Sequence, residues 1–201
     1  MEGSSMKPRR TTISSLDNDS AASDMLVVVD VRDREVGSAT KERVHTEGLL
    51  HRAFSVVLLR EGEAGCEILL ARRAEGKYHS AGLWANSCCS HPRAGEDTVG
   101  AAYRRVREEL GCEATGLEDV GHFAYRADFD DGLVEFEVDH IIFGFCCGEP
   151  NPNPEEVSET RWVTPDALSN MIAEEPQHFS AWAPMVLSIA LEKLEQAGCL
   201  Q

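Results

Sequence analysis

Apolar residues along this chain come in short bursts separated by polar, glycine-containing stretches, and the period of each burst predicts an element. The stretch 25-MLVVVDVRDREVG-37 reads as a strand running into a polar turn. In 51-HRAFSVVLLREGEAGCEILLARR-73, two apolar runs flank a Gly- and Glu-rich turn, the pattern of a hairpin. Residues 74–96 carry Gly, Ser, Asn and Pro throughout and read as loop. At 97-DTVGAAYRRVREELG-111 the period changes to helical: Asp97 caps the start, Val99, Ala102, Val106 and Leu110 form a stripe, and Gly111 ends it. Strand patterns return at 121–129, 133–147 and 159–163, and Thr164-Pro165 opens a helix over 165–175. A last amphipathic helix over 182–197 places Met185, Val186, Ile189, Ala190 and Leu194 on one face. There is no internal repeat and no regular βαβ rhythm. The expected fold class is therefore α/β (α+β), a mixed β-sheet flanked by helices in a single domain.

Length and charge narrow the setting. The chain has 201 residues, 42% of them hydrophobic, enough for one core. Residues 1–23 are polar, rich in Ser, Asp and Asn, and lack the apolar core of a secretory signal, so they read as a disordered tail before a domain at 24–201. No apolar run approaches the ~20 residues of a membrane-spanning helix. A net charge of −16 argues against nucleic acid as partner and requires any anionic substrate to meet a local basic cluster or a metal. Seven scattered cysteines without a CxxC pair point to free thiols in a reducing cytoplasm. The sequence leaves the oligomeric state open, with a monomer slightly favoured.

Chemistry concentrates in 83-LWANSCCSHP-92, where two adjacent cysteines precede a histidine. A disulfide between Cys88 and Cys89 would be strained; metal ligation, core filling and acid–base chemistry stay open. Glu135 and Glu137 alternate along a strand, so both face one side of the sheet. Together with His45, His51 and His91 they suit a divalent ion such as Mn²⁺ or Zn²⁺; the alternative is an edge strand with its glutamates in water.

The helix carries a second signature. Aligned with the Nudix box G-x5-E-x7-R-E-U-x-E-E-x-G-U, the chain reads Ser90, Glu96, Arg104, Arg105, Val106, Arg107, Glu108, Glu109, Leu110, Gly111 and Cys112. Ser90 replaces the first glycine and Arg105 replaces the glutamate after the arginine. With 45-HTEGLLHRAFS-55 upstream and 132-GLVEFEV-138 downstream, the chain closely resembles the type I isopentenyl-diphosphate isomerases, a Nudix-fold family, over residues from about 25 to 190. The spacing of His45 and His51 is one residue shorter than in some members, as a loop deletion would leave it.

The resemblance implies an enzyme of isoprenoid biosynthesis that moves a carbon–carbon double bond between isopentenyl and dimethylallyl diphosphate by protonation and deprotonation. It implies Cys89 and Glu137 as the acid–base pair, with Tyr125 and Trp182 as active-site aromatics. It implies His45, His51, His91, Glu135 and Glu137 as ligands of Mn²⁺ or Zn²⁺, and Glu109 with the backbone carbonyl of Cys89 as ligands of Mg²⁺. Lys41, Arg73, Lys77 and Arg105 are implied to bind the diphosphate, which would explain the altered box. Each of these cations alone would read as a solvated surface residue, and Trp182 alone as core packing. A nucleoside-diphosphate hydrolase should keep the glutamate that Arg105 replaces, and a catalytically inert binding module has no use for Cys89 beside five metal-type residues. A thiol hydrolase would need an oxyanion motif that the sequence does not display.

Overall fold

The apolar run at 53–59 forms the centre of the sheet. β3 (His51–Gly62) is buried almost throughout its first nine residues because it has neighbours on both edges. Along one edge, His51 to Leu59 pair in parallel with β8 (Val134–Cys147), placing His51 opposite Glu137. Along the other edge run β6 (Cys88–Ser90) and then β4 (Gly65–Arg73), both antiparallel. β7 (Glu113–Asp128) extends the sheet beyond β8, with Tyr125 opposite Glu137. β5 (Trp84–Ala85) and β9 (Val157–Val163) line β4. β1 (Met25–Val29) and β2 (Glu35–Thr40) form a hairpin joined to the start of β3 at Val28 and His51. The computed structural model describes residues 25–63, 65–77 and 79–196, so the tail expected at 1–23 lies outside the described residues.

Two apolar layers cover the sheet, and alternation along β3 feeds both. Val57 and Leu59 pack with Leu168 of α3 (Pro165–Glu174) and with Val186, Leu187, Ala190 and Leu194 of α4 (Ala183–Gln196). Phe54, Val56 and Leu58 pack with Ala102, Val106 and Leu110 of α2 (Thr98–Leu110). Truncating a fully buried leucine such as Leu110 to alanine in such a layer costs about 2–5 kcal/mol.

The grammar of α2 matches its sequence. The Asp97 carboxylate accepts the Gly100 N–H at 2.9 Å, and Gly111 closes the helix at φ 60°. A Cβ at Gly111 would lie 2.1 Å from the Asn151 carbonyl oxygen, so glycine is required there on two counts. Glu96 and Arg104 of the box form a bidentate ion pair at 2.7 Å, tying the preceding loop to the helix.

Several expectations need correction. The strand at 25–29 does run into a polar turn, where Asp30 accepts the backbone N–H groups of Arg32 and Arg34, but the turn leads into a second strand from Glu35 that the pattern did not mark. Residues 41–47, given no element by the pattern, form α1 (Lys41–Glu47), capped by Thr40 and ended by Gly48 at φ 61°. The loop at 74–96 contains β5 and β6, too short to show a period. The strand expected at 121–129 begins at Glu113. On α4, Met185 is exposed and the buried residue beside Val186 is Leu187, because the helix turns its face toward Val57 and Leu70. Cys147, at the end of the apolar run of β8, is exposed.

Candidate active site

The parallel register of β3 and β8 brings His51, Glu135 and Glu137 together at one end of the sheet. α1 adds His45 from above, and the turn after β6 adds His91. His45 Nδ1–H donates to the Lys41 carbonyl at 2.7 Å, and His51 Nδ1–H donates to that of Leu49 at 2.9 Å. A carbonyl only accepts, so both imidazoles carry their proton on Nδ1 and turn Nε2 inward. His45 Nε2 lies 3.2 Å from Glu135 Oε2, so the short His45–His51 spacing still delivers His45 to the cluster. One ligand atom from each of His45, His51, His91 and Glu135 lies within 4.8 Å of every other.

The donor set fits a divalent cation. His51 Nε2 and His91 Nε2 face each other at 3.2 Å, and Glu137 Oε1 stands 2.8 Å from the second and 3.4 Å from the first. Three inward imidazole nitrogens and two carboxylates offer many lone pairs and few protons, in a region almost closed to water. A cation between them resolves that arrangement. Glu137 sits at the margin of the cluster, outside the four-atom convergence, because its other oxygen accepts the Tyr125 hydroxyl at 2.6 Å. Burial and the Glu135 charge push the Glu137 carboxyl up, but the imidazoles of His51 and His91 outweigh them and hold it below the ordinary range. Burial opposes the charge of Glu135 too, yet the neighbouring imidazoles of His45 and His79 keep it well below that range. Burial dominates at His91 and brings it down to about 4. At His51 burial acts the same way but is overcome by Glu137, so the net shift is upward.

Strand alternation separates the adjacent cysteines. Cys88 packs among Phe54, Val56 and Ala102 on the α2 face, whereas Cys89 sits with Trp182 and Tyr125 on the other. The Cys89 sulfur accepts the Trp182 indole N–H at 3.1 Å and gives its own proton to Asn86 Oδ1 at 3.0 Å. Asn86 cannot turn its amide round, since its NH₂ is committed to the carbonyls of Val56 and Cys88 at 3.0 and 3.1 Å. Burial, then the nearby Asp139, pushes the Cys89 thiol up to about 12. Asp139 is buried, accepts Ser55 Oγ–H at 2.8 Å, and is raised well above the ordinary range by burial.

A cleft open to solvent joins these groups. Its walls carry Cys89, His91, Tyr125, Glu135, Glu137 and Trp182, and its rim carries Lys41, Arg73, Lys77 and Arg105. All four cations expected to bind diphosphate thus reach one cleft, and two of them are held by carboxylates. Lys77 pairs with Glu156, and Arg105 pairs with Glu109 at 2.6 Å, Glu108 at 2.9 Å and Glu156 at 3.2 Å. Arg73 stacks over Trp182, its guanidinium carbon 5.2 Å from the ring centroid. Burial, then the charge of Lys77, lowers the Lys41 ammonium. Glu109 stands apart from the histidines. It lines an adjoining cavity with Cys88, Cys89, Lys77 and Glu156, and burial raises its carboxyl despite Arg105.

Sequence reasoning missed His79, Asn86, Asp139 and Glu156. Asp139 was legible in principle, since it continues the two-residue period of Glu135 and Glu137 on the same face. Nothing in the local pattern marks the others.

Comparisons with known proteins follow the same lines. The NUDIX domain family matches residues 49–183. The isopentenyl-diphosphate Delta-isomerase of Serratia proteamaculans is 45% identical over 159 residues, covering 79% of this chain and 87% of that protein. That of Photobacterium profundum is 43% identical over 173 residues, covering 85% and 96%. Among solved structures, a protein from Deinococcus radiodurans superposes with a TM-score of 0.62 at 22% identity, over 81% of this chain and 96% of its own. A MutT NUDIX hydrolase from Burkholderia pseudomallei gives 0.54 at 22%, over 69% and 96%. Likeness at that level of identity establishes the fold alone.

Proposed function

The chain belongs to the Nudix family and, within it, to the isopentenyl-diphosphate Delta-isomerases, and we propose that it interconverts isopentenyl and dimethylallyl diphosphate by proton transfer between Cys89 and Glu137. The observation that carries this reading is the placement of the Cys89 thiol and the Glu137 carboxylate on the walls of one cleft, each held by its own aromatic donor.

In one direction the Cys89 S–H gives its proton to the terminal alkene carbon, and tertiary cation character develops at the third carbon. Glu137 takes a proton from the second carbon, and the double bond re-forms between the second and third carbons. The thiol ends as thiolate and the carboxylate as acid, so the next turnover in reverse exchanges the two roles. The Trp182 indole supports both states of the sulfur, since its N–H bonds a thiolate more strongly than a thiol. Its π face, beside the cleft, offers the cation about 2 kcal/mol in a desolvated site. The buried surroundings keep out water that would trap the cation.

His45, His51, His91 and Glu135, with Glu137 at the margin, would hold Mn²⁺ or Zn²⁺; Glu109 and the Cys89 carbonyl would hold Mg²⁺ on the diphosphate side. When bound, these ions supply positive charge for orienting Glu137 and for neutralising the diphosphate. Lys41, Arg73, Lys77 and Arg105 bind and orient the diphosphate against a net charge of −16. Glu156 holds Lys77 and Arg105 in place and gives them up, in part, when the more highly charged diphosphate arrives.

The test is to incubate the purified protein with isopentenyl diphosphate and, separately, with a nucleoside-diphosphate sugar. Appearance of dimethylallyl diphosphate with no cleavage of the P–O–P bond in either compound is the expected result. Cleavage of either diphosphate to monophosphate products without isomer would replace the reading with hydrolysis.

A further inference from the structure

His79 has no place in the proton-transfer pair, the phosphate-binding cations or the four converging ligand atoms, yet its imidazole is buried at the heart of the site. Its Nε2 lies 2.7 Å from Glu135 Oε1, while the other oxygen of the same carboxylate lies 3.2 Å from His45 Nε2 and 3.9 Å from His51 Nε2. Glu135 therefore divides its oxygens, one toward the histidine cluster and one toward His79. The imidazole is fixed on three further sides. It stacks on Phe129 with ring centroids 4.7 Å apart and planes 20° from parallel, and it meets Trp182 edge-on at 5.8 Å. Its Nδ1 lies 3.2 Å from the hydroxyl of Ser80, a residue held at φ 51°. Ser80 Oγ–H donating to Nδ1 leaves the proton on Nε2, directed at Glu135.

We propose that His79 is a positioning residue for the metal centre: its Nε2–H holds Glu135 so that one carboxylate oxygen faces the histidine cluster. The inference rests on the reading that His45, His51, His91 and Glu135 hold a divalent ion. A carboxylate with two free torsions at its end has several ways to point. A donor fixed between two aromatic rings selects one of them, so the ion meets a ligand already aimed. Loss of such a partner to a metal-binding carboxylate lowers metal affinity about 10- to 100-fold, less than loss of a ligand itself. Because His79 also touches the ring that donates to Cys89, the same imidazole sets the spacing between the ligand cluster and the thiol wall.

Affinity for Mn²⁺ and Zn²⁺ is measured on the full chain by competition with a chromogenic chelator, so the readout does not depend on turnover. His79→Phe keeps both ring contacts and deletes the donor; His79→Gln carries an amide N–H that reaches the position of Nε2. We expect His79→Phe to bind about 10- to 100-fold more weakly, His79→Gln to recover most of that loss, and His51→Ala to lose far more than either. Wild-type affinity in His79→Phe beside a large loss in His51→Ala overturns the role of His79 and leaves the metal centre standing. A loss in His79→Phe equal to that of His51→Ala, without rescue by glutamine, overturns it in favour of direct ligation. Unchanged affinity in both His79→Phe and His51→Ala removes the metal centre and this inference together.

Discussion

The indole N–H of Trp182 points at the sulfur of Cys89 from 3.1 Å, a contact between residues 93 positions apart in the chain. It makes Trp182 more than a wall of the cleft, because the ring and the N–H act on different partners. Trp182→Phe keeps a π face and deletes the donor. A hydrogen bond of about 1.4 kcal/mol corresponds to a tenfold lower kcat, measured with isopentenyl diphosphate. Trp182→Ala also loses the face, and its kcat should fall well below that of the phenylalanine variant. Equal kcat in Trp182→Phe and wild type would leave the indole N–H with no part in the reaction.

The two adjacent cysteines should behave oppositely. Cys89→Ala is expected to abolish isomerisation while keeping the circular dichroism spectrum and the melting temperature close to wild type. Cys88→Ala, on the α2 face, should keep most activity. Full activity in Cys89→Ala would end the acid–base assignment.

Tyr125 donates to Glu137 at 2.6 Å, while the opposite oxygen of that carboxylate faces His91. Removal of the hydroxyl in Tyr125→Phe should lower kcat about tenfold with little change in KM, since the contact acts on the proton acceptor rather than on the diphosphate. A change confined to KM would place Tyr125 in substrate binding instead.

Metal removal should act on stability as well as on turnover. Dialysis against a chelator is expected to abolish activity that Mn²⁺ or Zn²⁺ restores. An ion at 100 times its Kd adds about 2.7 kcal/mol of stability, so the melting temperature of reconstituted protein should rise by roughly 5–10 °C. His51→Ala and Glu135→Ala should show neither response. No bound ion in wild-type protein after reconstitution would count against the ligand set.

Arg105→Ala has two separable consequences. It removes a diphosphate contact, which should cost roughly 2–3 kcal/mol, or about 30- to 150-fold in kcat/KM and mainly through KM. It also leaves the buried Glu109 without the guanidinium that lies 2.6 Å away, so the melting temperature should fall, by about 3 kcal/mol in stability. Arg105→Ala with Glu109→Gln should recover much of the stability and none of the KM. If the single variant keeps wild-type KM, Arg105 serves Glu109 alone.

Much of the fold is legible in the amino-acid order because it depends on local periods. Asp97 and Gly111 delimit α2 through backbone groups a few residues away, and the two-residue period of β8 places Glu135 and Glu137 on one face wherever that strand sits. The same period separates Cys88 from Cys89. The family resemblance, which rests on ordered motifs, names the cluster of His45, His51, His91 and Glu135, and these residues do converge. α1 is illegible because seven residues with one buried apolar position show no stripe.

Partners are a different matter, because they depend on which strands lie side by side and on how close the layers come. Only the parallel pairing of β3 with β8 sets His51 opposite Glu137, and only the packing of the start of α4 against the sheet brings Trp182 to Cys89. Engagement of Arg105 by Glu109 and Glu156, of Asn86 by the Cys89 thiol, and of Glu135 by His79 has no local period behind it. Burial strengthens each of these polar contacts and makes its absence costly. The sequence by itself thus determined which side chains share a face and which chemistry they can bring. The tertiary structure alone decided which oxygen, nitrogen or sulfur each one meets, since those distances are set by layer packing between segments far apart in the chain.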